Sequence, residues 1–152
     1  MISVPVDCVV DASVGIKLVV VEMDSAQASL LFNHLTRDPT ATFRVPDLFF
    51  AECANVLRTR ARRGDFSTRD AMAKLRSLRA LALQIEASSN LIEDALDLAL
   101  THDLTVYDAI YAALSIQNGS PLITADDKLF RKLACSPCSA LLLSGQTIPS
   151  PP

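Results

Sequence analysis

Apolar positions along the chain switch between strand-like runs and helical spacing. VPVDCVVDAS, opening at Val4, is a β-branched run that reads as a buried strand ending near Asp11. From Asp24 to about Asp38 the apolar residues fall at helical spacing, with Asp24 or Ser25 as the cap. TFRV is a short strand candidate, after which Pro46 opens a helix, PDLFFAECANVLRTRARRG, that Gly64 stops. Ser67 and Asp70 form a capping-box pattern for a further helix to about Ala82. LQIEA is another short strand, and Asn90 with Glu93 starts the helix IEDALDLALTHD. Thr105 opens a helix that Gly119 ends, and PLITADD, DKLFRKLA and ALLLS follow as strand, helix and last strand. Short strands alternating with helices give the α/β class, a three-layer α/β/α sandwich around a short, mostly parallel sheet. The expected domain spans 1–144, and GQTIPSPP at 145–152 reads as a disordered, proline-rich tail.

One helix breaks its own apolar pattern. Between Leu104 and Ala125 the single charged side chain is Asp108, set among Val106, Tyr107, Ala109, Ile110, Tyr111 and Leu114. A carboxylate in such surroundings is costly unless something pairs with it. Glu52 repeats the puzzle, enclosed by Leu48, Phe49, Phe50, Ala51, Cys53 and Ala54, and Asn55 shares its helix face. In open α/β sheets ligands bind in the crevice outside the carboxyl ends of the strands. Asp11 stands at the end of the first strand, and Asp126 and Asp127 follow the Leu122-Ile123-Thr124 strand in the same way. Asp108 and Glu52 fall near the starts of their helices, so one crevice can collect all four acids.

Each acid also has a blander reading. Asp11 and Asp126 can cap the segments that follow them, Asp108 stands where a capping-box acid reaches back to Thr105, and Glu52 can pair with a buried arginine. Caps do not account for Glu52, and the four together favour a shared site. Carboxylates at close quarters push each other's pKa upward unless a counter-charge intervenes. Lys17 and Lys128 are the nearby lysines, and a divalent cation answers the need more directly. An all-oxygen set suits Mg²⁺ or Mn²⁺ and does not suit zinc.

Composition narrows the field. With 152 residues, 50% of them hydrophobic and 20% charged, the chain suits one compact domain. Its net charge of −3 argues against a protein that coats nucleic acid non-specifically. Even so, Arg58, Arg60, Arg62, Arg63, Arg69, Lys74, Arg76 and Arg79 crowd into one stretch. No apolar run is long enough for a bilayer, and MISVPVD lacks the basic start of a secretory signal, so the expected location is the cytoplasm. An aromatic share of 5% without tryptophan argues against a base-stacking platform. Cys135-Ser-Pro-Cys138 lacks the second ligand pair a zinc site needs, and Cys8 and Cys53 fall in apolar runs. The four scattered glycines give no phosphate-binding loop, and no GxSxG elbow is present. Ser13, where a dehalogenase-type phosphatase needs a second aspartate, and the Ala-Ser after Asp11 speak against phosphatase and receiver folds.

VVDASV at 9–14, DLFFAECANVL at 47–57, TVYDAIYAALS at 105–115 and PLITADDKL at 121–129 together form an ordered set. In it the chain resembles the PIN domain family, and within that family the VapC-type toxin ribonucleases of toxin–antitoxin pairs. The resemblance implies that Asp11, Glu52, Asp108 and Asp126 are the catalytic, metal-holding acids. It matches Ser13 and Thr124 to small hydroxyl residues lining the site and Asn55 to the polar neighbour of the glutamate. Asp126 is preferred over Asp127 as the fourth acid, because Thr124-x-Asp126 fits the pattern; Asp127 is then a helix cap or an outer group. The resemblance further implies Mg²⁺- or Mn²⁺-dependent endoribonuclease activity, a homodimer and a cognate antitoxin protein. The alternative is a catalytically silent PIN-like module that binds RNA or protein. With two histidines and no pair of them near the acids, a route through histidine acid and base is poorly supported. Arg58, Arg60, Arg62 and Arg63 gain a candidate role on the RNA backbone, against the alternative of a solvated helical pair. LIEDALDLALTHD and AIYAALS are candidates for a dimer face or an antitoxin groove, against the alternative of core packing.

Overall fold

The computed structural model describes residues 7–151. The expected opening of the first strand at Val4, and Pro152 of the tail, lie outside them. Seven α-helices and five strands alternate along the described residues. Strand β1 (Asp7–Val10) leads into a short helix α1 (Ala12–Gly15) and a 3₁₀ turn, followed by α2 (Ser25–Arg37), β2 (Thr42–Pro46) and α3 (Leu48–Arg62). Next come α4 (Thr68–Arg79), β3 (Gln84–Glu86), α5 (Ile92–His102) and α6 (Val106–Asn118). The chain then runs through β4 (Leu122–Thr124), α7 (Asp127–Leu133) and β5 (Ala140–Leu142).

The strands lie in the order β3-β2-β1-β4-β5, and every pairing among them is parallel. From β1 the chain steps outward through β2 to β3, then returns past β1 to place β4 on its other side. Right-handed crossovers therefore put α1 to α4 on one face and α5 to α7 on the other. The packing agrees: α6 lies against α5 and against β1, β2 and β4, while α3 lies against α1, α4 and β2. The strand order reverses between β1 and β4, and ligand crevices in such sheets open at that point.

The two central strands have the continuous apolar sequence of strands covered on both faces. Cys8, Val9, Val10, Leu122 and Ile123 are fully buried, with Phe43 of β2 and Phe49 of α3 beside them in the core. Burial of each large side chain there contributes about 1.5–3 kcal/mol. Register is fixed by the pairs Val9↔Leu122 and Val10↔Ile123, so β1 and β4 end side by side. In α6 the residues Ala109–Ser115 are all buried, so AIYAALS is core rather than a docking face.

Local chemistry explains most helix ends. Ser67 and Asp70 make the capping box of α4, with the Ser67 hydroxyl accepting from the Asp70 N–H at 3.1 Å. Thr105 accepts from the Asp108 N–H at 3.1 Å and starts α6. Gly64 and Gly119 stand at φ +86° and +62°, left-handed values that end α3 and α6 at little cost. Three ends differ from expectation. Pro46 closes β2 instead of opening α3, because the next N–H, of Asp47, is taken by the Glu86 carbonyl of β3 at 2.8 Å. Asp24, one of the two expected residues, holds the N-cap position of α2 but makes no side-chain cap bond, and the Ser25 hydroxyl accepts from the Glu22 N–H and donates to the Val20 carbonyl. Asn90 hands its amide to Glu86 at 2.6 Å, and α5 begins after a 3₁₀ turn without a side-chain cap. Beyond β5, Ile148 packs on the core and His34 Nε2 lies 2.9 Å from the Pro149 carbonyl oxygen, so residues 146–149 run along α2.

Candidate active site

Asp11 is the first residue past β1, and the parallel neighbour β4 ends beside it with Thr124. Its backbone N–H bonds the Ile123 carbonyl at 2.9 Å, which extends the β1–β4 ladder by one rung and fixes the carboxylate at the sheet's edge. Two hydroxyls meet the same carboxylate oxygen, Oδ2: Ser13 Oγ donates to it at 2.5 Å and Thr124 Oγ1 at 2.7 Å. Ser13 also accepts the Ala125 N–H at 2.9 Å, and Thr124 accepts the Asp126 N–H at 3.0 Å. The loops after β1 and β4 are thus tied together through Asp11. Asp11 is only 7% exposed, and burial pushes its pKa upward, with the Asp108 charge adding to the rise and the two hydroxyls opposing it.

Glu52 arrives from the helix layer that also holds α1. It lies in the second turn of α3, half-buried, and Tyr111 of α6 donates its hydroxyl to Glu52 Oε2 at 2.6 Å. Burial pushes the Glu52 pKa up to about 7, the charges of Asp11 and Asp108 add to the rise, and the tyrosine hydroxyl holds it back. The Asp108 charge thus reaches Asp11, and the Asp11 and Asp108 charges both reach Glu52. Asp108 stands in the first turn of α6, three residues before Tyr111 on the same face. Lys17 does not relieve the crowding, because its ammonium turns to Glu22 at 3.0 Å and to the Met23 carbonyl at 2.7 Å.

The fourth acid plays a different part. Asp126 caps α7, its Oδ1 accepting from the Lys128 and Leu129 N–H groups at 2.8 and 3.1 Å. The capping role considered for Asp127 therefore belongs to Asp126, while Asp127 pairs with Arg131 at 2.6 Å on the exposed side of the same helix. Asp126 is not among the charges that move Asp11 or Glu52. Among the described residues, no three His, Cys, Asp or Glu side chains stand together closely enough for a ready-made metal cage. The four expected acids are not a closed chelate: Asp11, Glu52 and Asp108 are related by the reach of their charges, and Asp126 is joined to Asp11 through Thr124.

Two residues of the site carry no signal in the local sequence pattern. Tyr111 is fully buried, and its hydroxyl reaches Glu52 across the two layers. The clue available was a tyrosine one turn after an aspartate on an otherwise apolar helix. Gly15 has no such clue. A Cβ at Gly15 would meet Phe49 Cζ at 2.4 Å, so only glycine lets α1 lie this close to α3. That close approach sets the start of α1, with Asp11 and Ser13, against the helix that carries Glu52.

The basic stretch divides. Arg60 is held by Glu22 at 2.8 Å and Asp65 at 3.0 Å, so its guanidinium is engaged within the fold. Arg58 and Arg62, one turn apart, edge an apolar groove between α3 and α4 that Leu57, Ala61, Met72 and Leu75 line. Arg63 follows at the exposed end of α3. All four cysteines are free thiols, and Cys138 is buried with its thiol 3.4 Å from the Ser115 hydroxyl.

Comparison with known proteins agrees with this architecture. The PIN domain model matches residues 8–134. Ribonuclease VapC3 of Pyrobaculum aerophilum is 37% identical over 126 residues, which is 82% of this chain and 92% of that protein. The crystal structure of PAE2754 from Pyrobaculum aerophilum superposes with a TM-score of 0.66 at 25% identity, covering 83% of this chain and 78% of that one. A toxin–antitoxin complex from Klebsiella pneumoniae superposes with a TM-score of 0.58, covering 90% of this chain and 97% of that one, and its 20% identity speaks to the fold alone. A family model and a relative that each span most of the sequence, on a sheet whose edge gathers the acids, lead to one conclusion: the chain belongs to the PIN domain family.

Proposed function

We propose that this protein is an endoribonuclease of the VapC type, the toxin of a toxin–antitoxin pair, hydrolysing RNA phosphodiester bonds with Mg²⁺ or Mn²⁺. The observation that carries the reading is the buried Asp11 carboxylate, held by two hydroxyls at the crevice of the sheet within electrostatic reach of Glu52 and Asp108. The ribonuclease relative, similar over most of both chains, supports the same activity.

The donor set fits a hard divalent cation. It is all oxygen, with no thiolate or imidazole, and burial pushes the Asp11 and Glu52 pKa values upward, with neighbouring carboxylate charge adding to the rise. Mg²⁺ binds through one or two protein carboxylates and fills its remaining positions with water and phosphate oxygens. Three gathered acids short of a closed cage suit that habit. Asp11, Asp108 and Glu52 are the residues that would hold the ion, which supplies Lewis-acid polarisation of the phosphodiester and a water nucleophile at neutral pH. Ser13 and Thr124 hold the Asp11 carboxylate in one orientation. Tyr111 holds Glu52, and Asp126 keeps the loop after β4 in place by capping α7.

Partners follow from the surface. Ile92, Leu96 and Leu100 recur at helical spacing on α5 and are 44%, 50% and 78% exposed, which suits a second copy of the chain in a homodimer. The apolar groove between α3 and α4 suits a helix of an antitoxin protein. Among the described residues, no helix is long and apolar enough to cross a membrane, which is consistent with an enzyme working on RNA in the cytoplasm.

The test is cleavage of a mixed RNA pool with Mg²⁺ or Mn²⁺, with and without chelator. Metal-dependent cleavage that Asp11→Asn or Asp108→Asn abolishes, with melting temperatures close to the parent, is the expected result. RNA binding without cleavage under every metal condition would move the protein to the silent-module alternative.

A further inference from the structure

Tyr107 is out of keeping with its helix. The helix is buried from Ala109 to Ser115, and Val106 and Asp108 are half-buried, whereas Tyr107 in the first turn is 66% exposed. The ring walls an open groove of about 320 Å³ whose other lining residues are Leu48, Ala51, Glu52 and Asn55 of α3. Those four positions share one helix face, with the Glu52 carboxylate of the candidate site among them. Its volume is at the small end of ligand-sized pockets, room for one base and not for a duplex.

We propose that this groove is a nucleotide pocket: one unstacked base of a single-stranded RNA lies against the Tyr107 ring, and the Asn55 side-chain amide reads its edge. The inference rests on the ribonuclease reading and adds the residues that choose the bond to be cut. The chemistry of the lining carries it. A tyrosine ring offers a stacking face to any base, and Leu48 and Ala51 supply the apolar floor. An exposed asparagine amide carries both a donor and an acceptor, the minimum for reading a base edge. Next along the i±3 row of α3, after Glu52 and Asn55, comes Arg58, exposed on the helix. Carboxylate, amide and guanidinium thus follow one another on the helix. They match a scissile phosphate, its neighbouring base and the next phosphate of one strand. The low aromatic content excludes a platform of several rings; one ring beside the acids is enough to seat one base.

Steady-state cleavage of single-stranded oligoribonucleotides that differ at one position tests the pocket. Tyr107→Ala should raise KM about five- to hundredfold, the range for loss of one base stack, and flatten the preference at a single position. Tyr107→Phe, which keeps the ring, should behave as the parent. Asn55→Asp, which keeps the shape but removes the donor, should change which base is preferred at that position. A 2-aminopurine placed there should be quenched on binding to uncleaving Asp11→Asn protein and not when Tyr107→Ala is added. Parent-like KM and preference in Tyr107→Ala, or an equal loss in Tyr107→Phe and Tyr107→Ala, overturns the pocket while leaving the ribonuclease reading intact. A parent protein that cleaves no RNA with either metal removes both.

Discussion

Burying a carboxylate is costly unless the fold compensates, and Asp11 and Glu52 are compensated from opposite sides of the molecule. Asp11 has the Ser13 and Thr124 hydroxyls, and Glu52 has Tyr111. A hydrogen bond to a charged group is worth about 1.5–3 kcal/mol, so Tyr111→Phe should weaken cleavage well beyond its small cost in volume, and a thermal melt beside the rate measurement checks this. Glu52 also makes the metal-free protein pH-sensitive. Its folded-state pKa, about 7, lies above its ordinary value of 4.5, so folding takes up a proton. The stability it contributes is fully present below its unfolded value and is lost as the pH rises through about 7. In chelator the melting temperature should fall over that interval, Mn²⁺ should restore it at the alkaline end, and Glu52→Gln should remove this part of the dependence. A chelated protein whose stability is flat across that window would contradict the shift. Glu52 and Asp108 drew notice in the sequence because charge in apolar surroundings demands a reason, whereas Asp126, expected with them, serves as the cap of α7. Tyr111 drew none, because a buried tyrosine is ordinary and its partner lies on another helix.

At the scale of elements, α1 and α3 meet where Gly15 leaves space for the Phe49 ring. Gly15→Ala would place a methyl 2.4 Å from Phe49 Cζ and force the two helices apart. A cost of about 1–3 kcal/mol is expected, seen as a lower melting temperature, together with a fall in cleavage as Asp11 moves from Glu52. Shortening the ring with Phe49→Leu in the same protein should recover part of both. Six of the seven helices were readable, since apolar spacing, the Ser67–Asp70 box and the closing glycines act within a few residues; the four-residue α1 was not expected. Among the ends that differed, Pro46 has a tertiary cause, because the Glu86 carbonyl of β3 takes the Asp47 N–H; at Ser25 and Asn90 the side chains turn to partners three to five residues back, Glu22, Val20 and Glu86. The Gly15–Phe49 contact joins distant segments, so no window of sequence contains it.

Over the whole molecule, a chain of net charge −3 must still hold a polyanion. Arg60 is unavailable, being paired with Glu22 and Asp65, while Arg58 and Arg62 make no such pair among the described residues and lie along the groove side of α3. Arg58→Gln and Arg62→Gln should each lower RNA affinity and reduce the salt dependence by about one phosphate contact, whereas Arg60→Gln should chiefly lower the melting temperature. The alternation of strands and helices made the α/β class legible. The strand order β3-β2-β1-β4-β5, which opens the crevice between β1 and β4, depends on long-range pairing that periodicity does not encode. That crevice is where the account stands or falls, and the direct measurement is Mn²⁺ titration of the protein without RNA, followed by the spin signal of the free ion. The parent should bind saturably, and Asp11→Asn and Asp108→Asn should each weaken binding by at least about tenfold while melting as the parent does. Equal binding by the parent and both variants would contradict it.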